Sequence, residues 1–465
     1  MLDLRDWLKE LESRSALRTI RGLHWDLEIA VASRRTVGER NLPDEDPRAI
    51  LFDDIVGYPS GYRVFVGSPD PRLGALCLGV PESDSPRQIY DSIRRKIPEW
   101  EASLTKFDPK VVKSGPILEN IDSGKDVNLF KFPAPKWHEL DGGRYIGTGD
   151  AVITQDPDKR EINLGAYRIM VHDEKTVGLY VSPGHHGRLH YENYHARGQA
   201  CPVAISVGQH PLISVIAGTP VPFGQEYNVI GAISGEPVEV IREEVTGLPI
   251  PAASEIVIVG WCPPSRARIE GPFGEWTGYY ASLERPTPIV EVERVYYRNN
   301  PIITGSGTPA GGFTNAILHN HLEKCGIPDI KAVGGLGRLW MVISIKQRYG
   351  GHARQAALAA SQASPIGAYH GRYVVVVDED IDPNDMRQVL WAIGTRSDPE
   401  KDIDIVRRLW STPLDPTIHK PTKDFSNSRA IIDACRPFEW IDEFPKVISW
   451  SPELVRKVQE KVQGK

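Results

Sequence analysis

Glu270 and Glu275 bracket the tetrapeptide Gly-Pro-Phe-Gly in the stretch RIEGPFGEWTGYY. In a regular strand, residues five apart point to opposite faces. Gly-Pro and Phe-Gly form turns, however, and a turn swings both carboxylates toward one spot beside the tryptophan that follows. Two carboxylates held together resist ionising together, and a carboxyl that keeps its proton near neutral pH is equipped for acid–base work. The plain alternative is a solvated hairpin tip.

A second concentration of reactive side chains lies upstream. His172, His185, His186, His190, His195 and His210 cluster, and the tandem pair sits in SPGHHGR, a glycine-flanked loop after a strand. No HExxH occurs, which disfavours a zincin-type protease. A loop histidine also serves as a solvated side chain or a capping group. INLGAYRIMVHD places Asn163 and Arg168 on one strand, with Gly165 marking a bulge, and VPFGQEYNVIGAISGEP places Glu226 in a turn-rich segment. An amide oxygen, an imidazole and a carboxylate together suit a hard or borderline cation such as Mn²⁺ or Mg²⁺. Residues so distant need a fold to unite them. The glycine-rich GSGTPAGG and GGLGR match neither a Rossmann nor a P-loop fingerprint, which disfavours a nicotinamide or ATP enzyme.

The elements that must position these groups fall into three textures. Residues 1–110 mix helix and strand patterns: MLDLRDWLKELESRSALRTI reads as an amphipathic helix carrying Leu4, Leu8, Leu11 and Leu17, and Ser85 caps a helix over SPRQIYDSIRRKIPEWEASL. Residues 111–310 carry short β-branched runs (DAVITQD, VGLYVSPG, PVAISVG, LISVIAG, SEIVIVG, PIVEVERVYY) and predict a mostly antiparallel sheet or barrel. Residues 311–465 return to alternating β and α patterns, which predicts a parallel sheet, and close with a helix over SPELVRKVQEKVQ suited to docking on a partner subunit. The fold class is α/β, or α+β, in several domains.

Composition narrows the function classes. A chain of 465 residues suggests two to four domains, and 40% apolar with 25% charged residues is ordinary for a soluble protein. The net charge of −6 argues against a general nucleic-acid binder, and no apolar run reaches the length of a membrane span. The N-terminal segment is not a signal peptide, since acids interrupt it. Cys77, Cys201, Cys262, Cys325 and Cys435 form no CxxC pair and read as reduced thiols in a cytoplasmic protein.

INLGAYRIMVHD, SPGHHGR, EYNVIGAISGEPVEV, PAASEIVIVG, EGPFGEWTGYY, VVVVDEDIDPNDMRQVLWAIGTRSDPEKDI and NSRAIIDACRPF occur in the order seen in the UbiD family, and ILFDDIVGYPSGYRVFVG resembles its N-terminal domain. By this resemblance the chain is a UbiD-like carboxy-lyase, a decarboxylase that uses prenylated FMN bound in a central split β-barrel. The N-terminal α/β domain would then be 1–110, the flavin-binding domain 111–310, and the C-terminal α/β and oligomerisation domain, with a terminal dimerisation helix, 311–465.

The resemblance carries the catalytic trio onto Arg168, Glu270 and Glu275, with Glu275 delivering a proton to the carbon that loses CO₂. The cofactor-binding residues it implies are Asn163, Leu164, Ala166, Tyr167, Arg168, His185, His186, Glu226 and Arg429. A divalent cation, Mn²⁺ or Mg²⁺, is implied on Asn163, His186 and Glu226, with K⁺ beside it. The family's His-x-Arg run selects His186, whereas a register counted from Pro183 selects His185. Many relatives carry Ser-Lys where this chain has Ser428-Arg429, so a phosphate contact passes to a guanidinium of different geometry. Val259 stands where many relatives have a glutamate and reads as structural.

The resemblance implies that the segment GTPAGGFTNAILHNH borders the substrate pocket; no charged residue precedes His319 in it, Phe313, Ile317 and Leu318 are candidate apolar lining, and Thr314, Asn315 and His319 candidate polar contacts. The expected reaction is reversible decarboxylation of an aromatic, heteroaromatic or α,β-unsaturated acid, with CO₂ as co-product. A flavin prenyltransferase would supply the cofactor, and the protein would be a homodimer or larger homo-oligomer. The rivals are a flavin-dependent oxidoreductase on the same barrel and a non-catalytic subunit of a carboxylase.

Overall fold

The computed structural model describes residues 2–33, 47–281, 283–305, 312–335, 339–363, 371–419 and 424–462. Most of GSGTPAGG and GGLGR lies outside these. The chain forms two compact units: Met1–Cys325 with Gln362–His370 and Val406–Arg429, and Gly326–Ser361 with Gly371–Ile405 and Ala430–Lys465.

The first unit opens with the helix Leu4–Ser13, capped by Asp3 and burying Leu4, Trp7, Leu8 and Leu11. Leu17 does not continue it. Ser15 takes a left-handed conformation (φ 56°), which ends the helix, and Leu17 starts a strand paired in parallel with Ala49. Ser85 caps the helix Pro86–Ser103 through Gln88 N–H, with Pro86 in its first turn.

Two further elements depart from the sequence pattern. LISVIAG has strand-like β-branched content but forms the helix Pro211–Ala217, because His210 accepts the Leu212 N–H and Pro211 suits the first turn. Glu226 is not in a turn: it begins the helix Glu226–Ser234, which stops at Gly235 with φ 80°.

The central sheet is antiparallel. Its order is Arg144–Gly147, Arg168–Asp173, Thr176–Tyr180, Arg285–Tyr297, Ile256–Cys262, Cys201–Val207, Ala151–Gln155, Ile162–Gly165; Ala267–Glu270 and Asn120–Ser123 also pair with the long strand Arg285–Tyr297. INLGAYRIMVHD is therefore two strands, not one. Ile162–Gly165 lies six strand steps from Arg168–Asp173, about 29 Å in a flat sheet. Only Ala166 and Tyr167 join them, a span of at most about 11 Å. The sheet must curl until its two ends meet, and Asn163 and Arg168 arrive at the seam. Gly165 is required there, since a Cβ on it would stand 2.2 Å from Tyr167 Cζ. Val152, Ile169, Val177, Leu179, Val203, Ile205, Ile256, Ile258 and Val290 fill the core of this sheet.

In the second unit Trp340–Ile345, Tyr373–Asp378 and residues 430–434 run parallel, as the alternating pattern predicts, while Ile330–Gly334 pairs antiparallel at the edge. Val342, Val375, Val377, Val389, Ala392 and Ile432 form its core. The terminal helix Pro452–Val462 is exposed throughout, its apolar Leu454, Val455, Val458 and Val462 included. Among the described residues, no helix is long and apolar enough to cross a membrane. Cys77, Cys201, Cys262 and Cys435 are buried free thiols, and Cys325 is exposed.

Candidate active site

Arg168 begins its strand directly opposite Tyr180, and Glu270 ends the strand Ala267–Glu270. Gly271, at φ 87°, then turns the chain so that Glu275 comes back toward Glu270. Arg168 grips Glu270 with two parallel bonds, Nε to Oε1 at 2.7 Å and Nη2 to Oε2 at 2.9 Å. Its remaining Nη1 donates to Glu275 Oε1. The turn thus does what the two glutamates required, and a guanidinium stands between them.

Burial sharpens this arrangement. Glu270 is fully buried, and the Arg168 and Glu275 side chains are each 8% exposed. Buried ions are tolerable only when paired and hydrogen-bonded. Burial opposes the Arg168 charge, but the Glu270 hydrogen bonds and the charges of Glu275 and Glu270 outweigh it and leave its pKa raised. The guanidinium carbon also lies 4.4 Å from the Tyr180 ring centre and 4.7 Å from that of Phe273. Tyr145 donates to Glu270 Oε1 at 3.1 Å, and burial, then Glu270, raises the pKa of that phenol.

The two carboxylates are not equivalent. Glu270 receives three bonds at the end of a strand. Glu275 receives one from Arg168 and sits in a tight loop, closed by Glu275 N–H to Tyr279 O at 3.1 Å and Gly278 N–H to Glu275 O at 2.9 Å. That loop bears the exposed Trp276 and Tyr279. A carboxylate gripped twice at a strand end, next to one carried on a loop, suits proton delivery by the second. Sequence reasoning missed Tyr145 and Phe273, whose only signal is an aromatic ring in a glycine-rich segment.

A second cluster surrounds Tyr167, one residue before Arg168. Asn163 Nδ2 donates to the Tyr167 hydroxyl at 3.3 Å, and the Gly187 N–H donates to the same oxygen at 3.1 Å. His185 directly precedes the helix His186–His195, with no side-chain capping bond, and its ring stands edge-on to Tyr167 at 6.0 Å. Glu226 is buried; its Oε2 has no partner among the described residues. Burial pushes its carboxyl up to about 8, against the opposing pull of backbone hydrogen bonds that include Leu164 N–H. Burial likewise lowers the pKa values of His185 and His186.

The remaining expected residues make other contacts. His186 packs on Phe223, ring centres 3.9 Å apart. Ala166 is exposed, with its N–H bound to Ala217 O at 2.9 Å. Arg429 is fully buried; it donates to Trp410 O at 2.9 Å and to Asn427 Oδ1. The Trp410 ring approaches the SPGHHGR loop, 3.2 Å from where a Cβ on Gly184 would lie.

The apolar candidates of the pocket-bordering segment mostly pack between helices instead. Phe313 meets Trp100 edge-on at 6.3 Å, and His319 is fully buried between Tyr90 OH at 2.5 Å, Arg94 at 3.1 Å and Glu323 at 3.1 Å. Leu318 is fully buried, while Thr314, Asn315 and Ile317 stay half-buried on the other sides of the helix. His319 is therefore a structural bridge rather than a polar lining residue.

Residues 110–311 match the 3-octaprenyl-4-hydroxybenzoate carboxy-lyase Rift-related domain (UbiD), and residues 310–434 match the C-terminal domain of the same carboxy-lyase. The chain is 33% identical to a phenolic acid decarboxylase of Sedimentibacter hydroxybenzoicus, over 94% of this chain and 92% of that one. It is 30% identical to a pyrrole-2-carboxylic acid decarboxylase of Pseudomonas aeruginosa, over 99% and 97%. Its fold is similar to that of the UbiD-class enzyme HmfF from Pelotomaculum thermopropionicum in complex with FMN, with TM-score 0.83 and 27% identity over 98% of both chains. An evolved dimeric form of HmfF, in complex with prFMN, gives TM-score 0.79 at 26% identity, over 98% of both chains.

Proposed function

The chain belongs to the UbiD family of carboxy-lyases, and from that membership and its Arg168–Glu270–Glu275 cluster we propose that it decarboxylates an aromatic or heteroaromatic acid with prenylated FMN. The loop-borne Glu275, paired with Arg168 beside the doubly gripped Glu270, carries this reading. The names of the phenolic and pyrrole-2-carboxylic acid decarboxylases support a ring-bearing substrate.

In this reading Glu275 gives its proton to the ring carbon that has lost CO₂ and is reprotonated between turnovers. Arg168 holds Glu275 within reach while Glu270 and Tyr145 fix the guanidinium. General acid help of this kind contributes roughly 10²- to 10⁴-fold. The reverse, carboxylation at high CO₂, uses the same groups in the opposite order. The flavin, when bound, supplies the electron sink for the charge left by departing CO₂.

The seam residues fit such a cofactor and its cation. Glu226 presents a buried oxygen without a partner among the described residues, and its carboxylate accepts the backbone N–H of Leu164, the residue after Asn163; a carboxylate and an amide oxygen are donors that suit a hard cation. Among the described residues no three His, Cys, Asp or Glu side chains group as a metal site. Asn163, Glu226 and His186 would hold Mn²⁺ or Mg²⁺, with His185 the alternative imidazole and K⁺ close by. Leu164, Ala166, Tyr167 and Arg429 would complete the cofactor's surroundings.

A flavin prenyltransferase would supply the cofactor in the cytoplasm. The functional division is proposed as 1–110, 111–310 and 311–465, and the exposed face of Pro452–Val462 would dimerise. Co-expression with a prenyltransferase tests the reading. The protein should release a flavin heavier than FMN by one five-carbon unit, and should turn over ring carboxylates faster than cinnamic or sorbic acid. FAD, or no flavin under any expression condition, would end the cofactor assignment.

A further inference from the structure

We propose that His138 and Asp141, in the stretch WHELDGG, form a clasp that positions the Glu275 loop; the inference rests on the reading of Glu275 as proton donor. Two loops that are distant in sequence, 138–142 and 271–280, lie backbone to backbone. Gly142 N–H donates to Pro272 O at 2.9 Å, and a Cβ on Gly142 would fall 2.1 Å from Gly271 O. The Asp141 side chain is fully buried, and among the described residues the donors it accepts from lie on these loops. Its Oδ1 accepts Gly274 N–H at 2.9 Å, and its Oδ2 accepts His138 N–H at 2.9 Å and faces His138 Nδ1 at 3.3 Å.

The imidazole completes the clasp. Its ring stands edge-on to Phe273 at 5.8 Å and to Tyr280 at 6.2 Å. There is no room between the loops, since a Cβ on Gly274 would lie 2.4 Å from His138 Nδ1. Tyr280 OH accepts the Leu140 N–H at 3.2 Å, which ties the far end of the loop to the same segment. The clasp therefore seizes the chain at Gly274, directly before Glu275, and at Phe273, the ring against which Arg168 lies.

A buried carboxylate is costly unless hydrogen-bonded, so Asp141 keeps its bonds only while the two loops stay together. Releasing Gly274 lets Glu275 drift from Arg168. A misplacement of about 1 Å at a reacting group costs roughly a hundredfold in rate. His138 and Asp141 are positioning residues, and their loss should act on kcat rather than on substrate affinity.

The test uses the full chain carrying Asp141→Asn, His138→Phe, His138→Asn or Gly274→Ala. Two readouts are taken: amide hydrogen exchange over 271–280, without cofactor, and kcat and KM on an aromatic acid after cofactor loading. Asp141→Asn should speed exchange over 271–280 by about tenfold, the equivalent of one lost hydrogen bond, while the strand Cys201–Val207 is unchanged. It should lower kcat by roughly ten- to a hundredfold with little change in KM. His138→Asn, which keeps a donor near the Nδ1 position, should retain more of both properties than His138→Phe. Gly274→Ala, which wedges the loops apart while leaving both clasp residues present, should reproduce the Asp141→Asn result if that variant folds poorly. Unchanged exchange over 271–280 in Asp141→Asn and Gly274→Ala would overturn the clasp. Faster exchange with undiminished kcat would leave the clasp an anchor of the loop only and overturn its positioning role, while the acid role of Glu275 is tested separately by Glu275→Gln.

Discussion

Replacing Arg168 by Met and Glu270 by Gln, singly and together, measures the grip on which the acid pair depends. Arg168 makes two charge-assisted bonds to Glu270, at 2.7 and 2.9 Å, between side chains that are 8% and 0% exposed. Each such bond contributes about 1.5–3 kcal/mol, and breaking a buried pair from one side costs about 3–5 kcal/mol. Arg168→Met leaves Glu270, among the described residues, with Tyr145 as its one neutral donor. Much of that cost is an unpaired buried charge, so removing both partners should cost far less than the sum of the single changes. The expected coupling is at least about 2 kcal/mol. A parallel cycle of Arg168→Met with Glu275→Gln should give less than half of it, because one bond to a loop residue is at stake. The assay is urea unfolding of cofactor-free protein, read from the transition that Arg168→Met displaces. Additive single changes, or a Glu275 coupling as large as that of Glu270, would refute the division into a fixed and a mobile carboxylate.

Three further outcomes are expected. His210, against the Trp7 ring and near Asp3, Asp6 and the N-terminus, is lowered by burial to about 4. Its folded pKa is depressed, so its stabilising contribution is complete above about 6.5 and is lost as pH falls toward 4. That amounts to at most about 3 kcal/mol, less where water reaches the ring. His210→Asn keeps an acceptor for Leu212 N–H and should flatten this part of the acid-unfolding profile; an unchanged profile would contradict it. His186→Ala should lower bound Mn²⁺ and flavin, by elemental and absorbance analysis, more than His185→Ala does, and the reverse order moves the cation to His185. The proposed dimer through Pro452–Val462 should be lost, by light scattering, on deleting residues 452–465, and a dimer that survives the deletion would place the interface elsewhere.

The turn between Glu270 and Glu275 was legible because Gly-Pro and Phe-Gly leave the chain few other courses. The caps at Asp3 and Ser85 were legible for the same local reason. The pattern failed where a cap outweighed propensity: LISVIAG carries strand-like residues, yet His210 and Pro211 start a helix. It failed again where one run was cut by a sharp join, since nothing local in INLGAYRIMVHD says that its halves sit six strand steps apart. Arg168 came from a family resemblance rather than from spacing. Tyr145 meets Glu270 across 125 residues and Asp141 meets Gly274 across 133, and such pairs exist only once the sheet has curled.

The central claim, that Glu275 supplies the proton that replaces CO₂, is tested most directly by Glu275→Gln in D₂O. Gln keeps the shape and a hydrogen-bonding amide for the Arg168 contact but has no titratable proton. With wild-type cofactor loading, CO₂ release from a ring carboxylate and deuterium appearing at the vacated ring carbon should both fall at least a hundredfold relative to wild type. Turnover and deuteration near the wild-type rate in Glu275→Gln would contradict the claim.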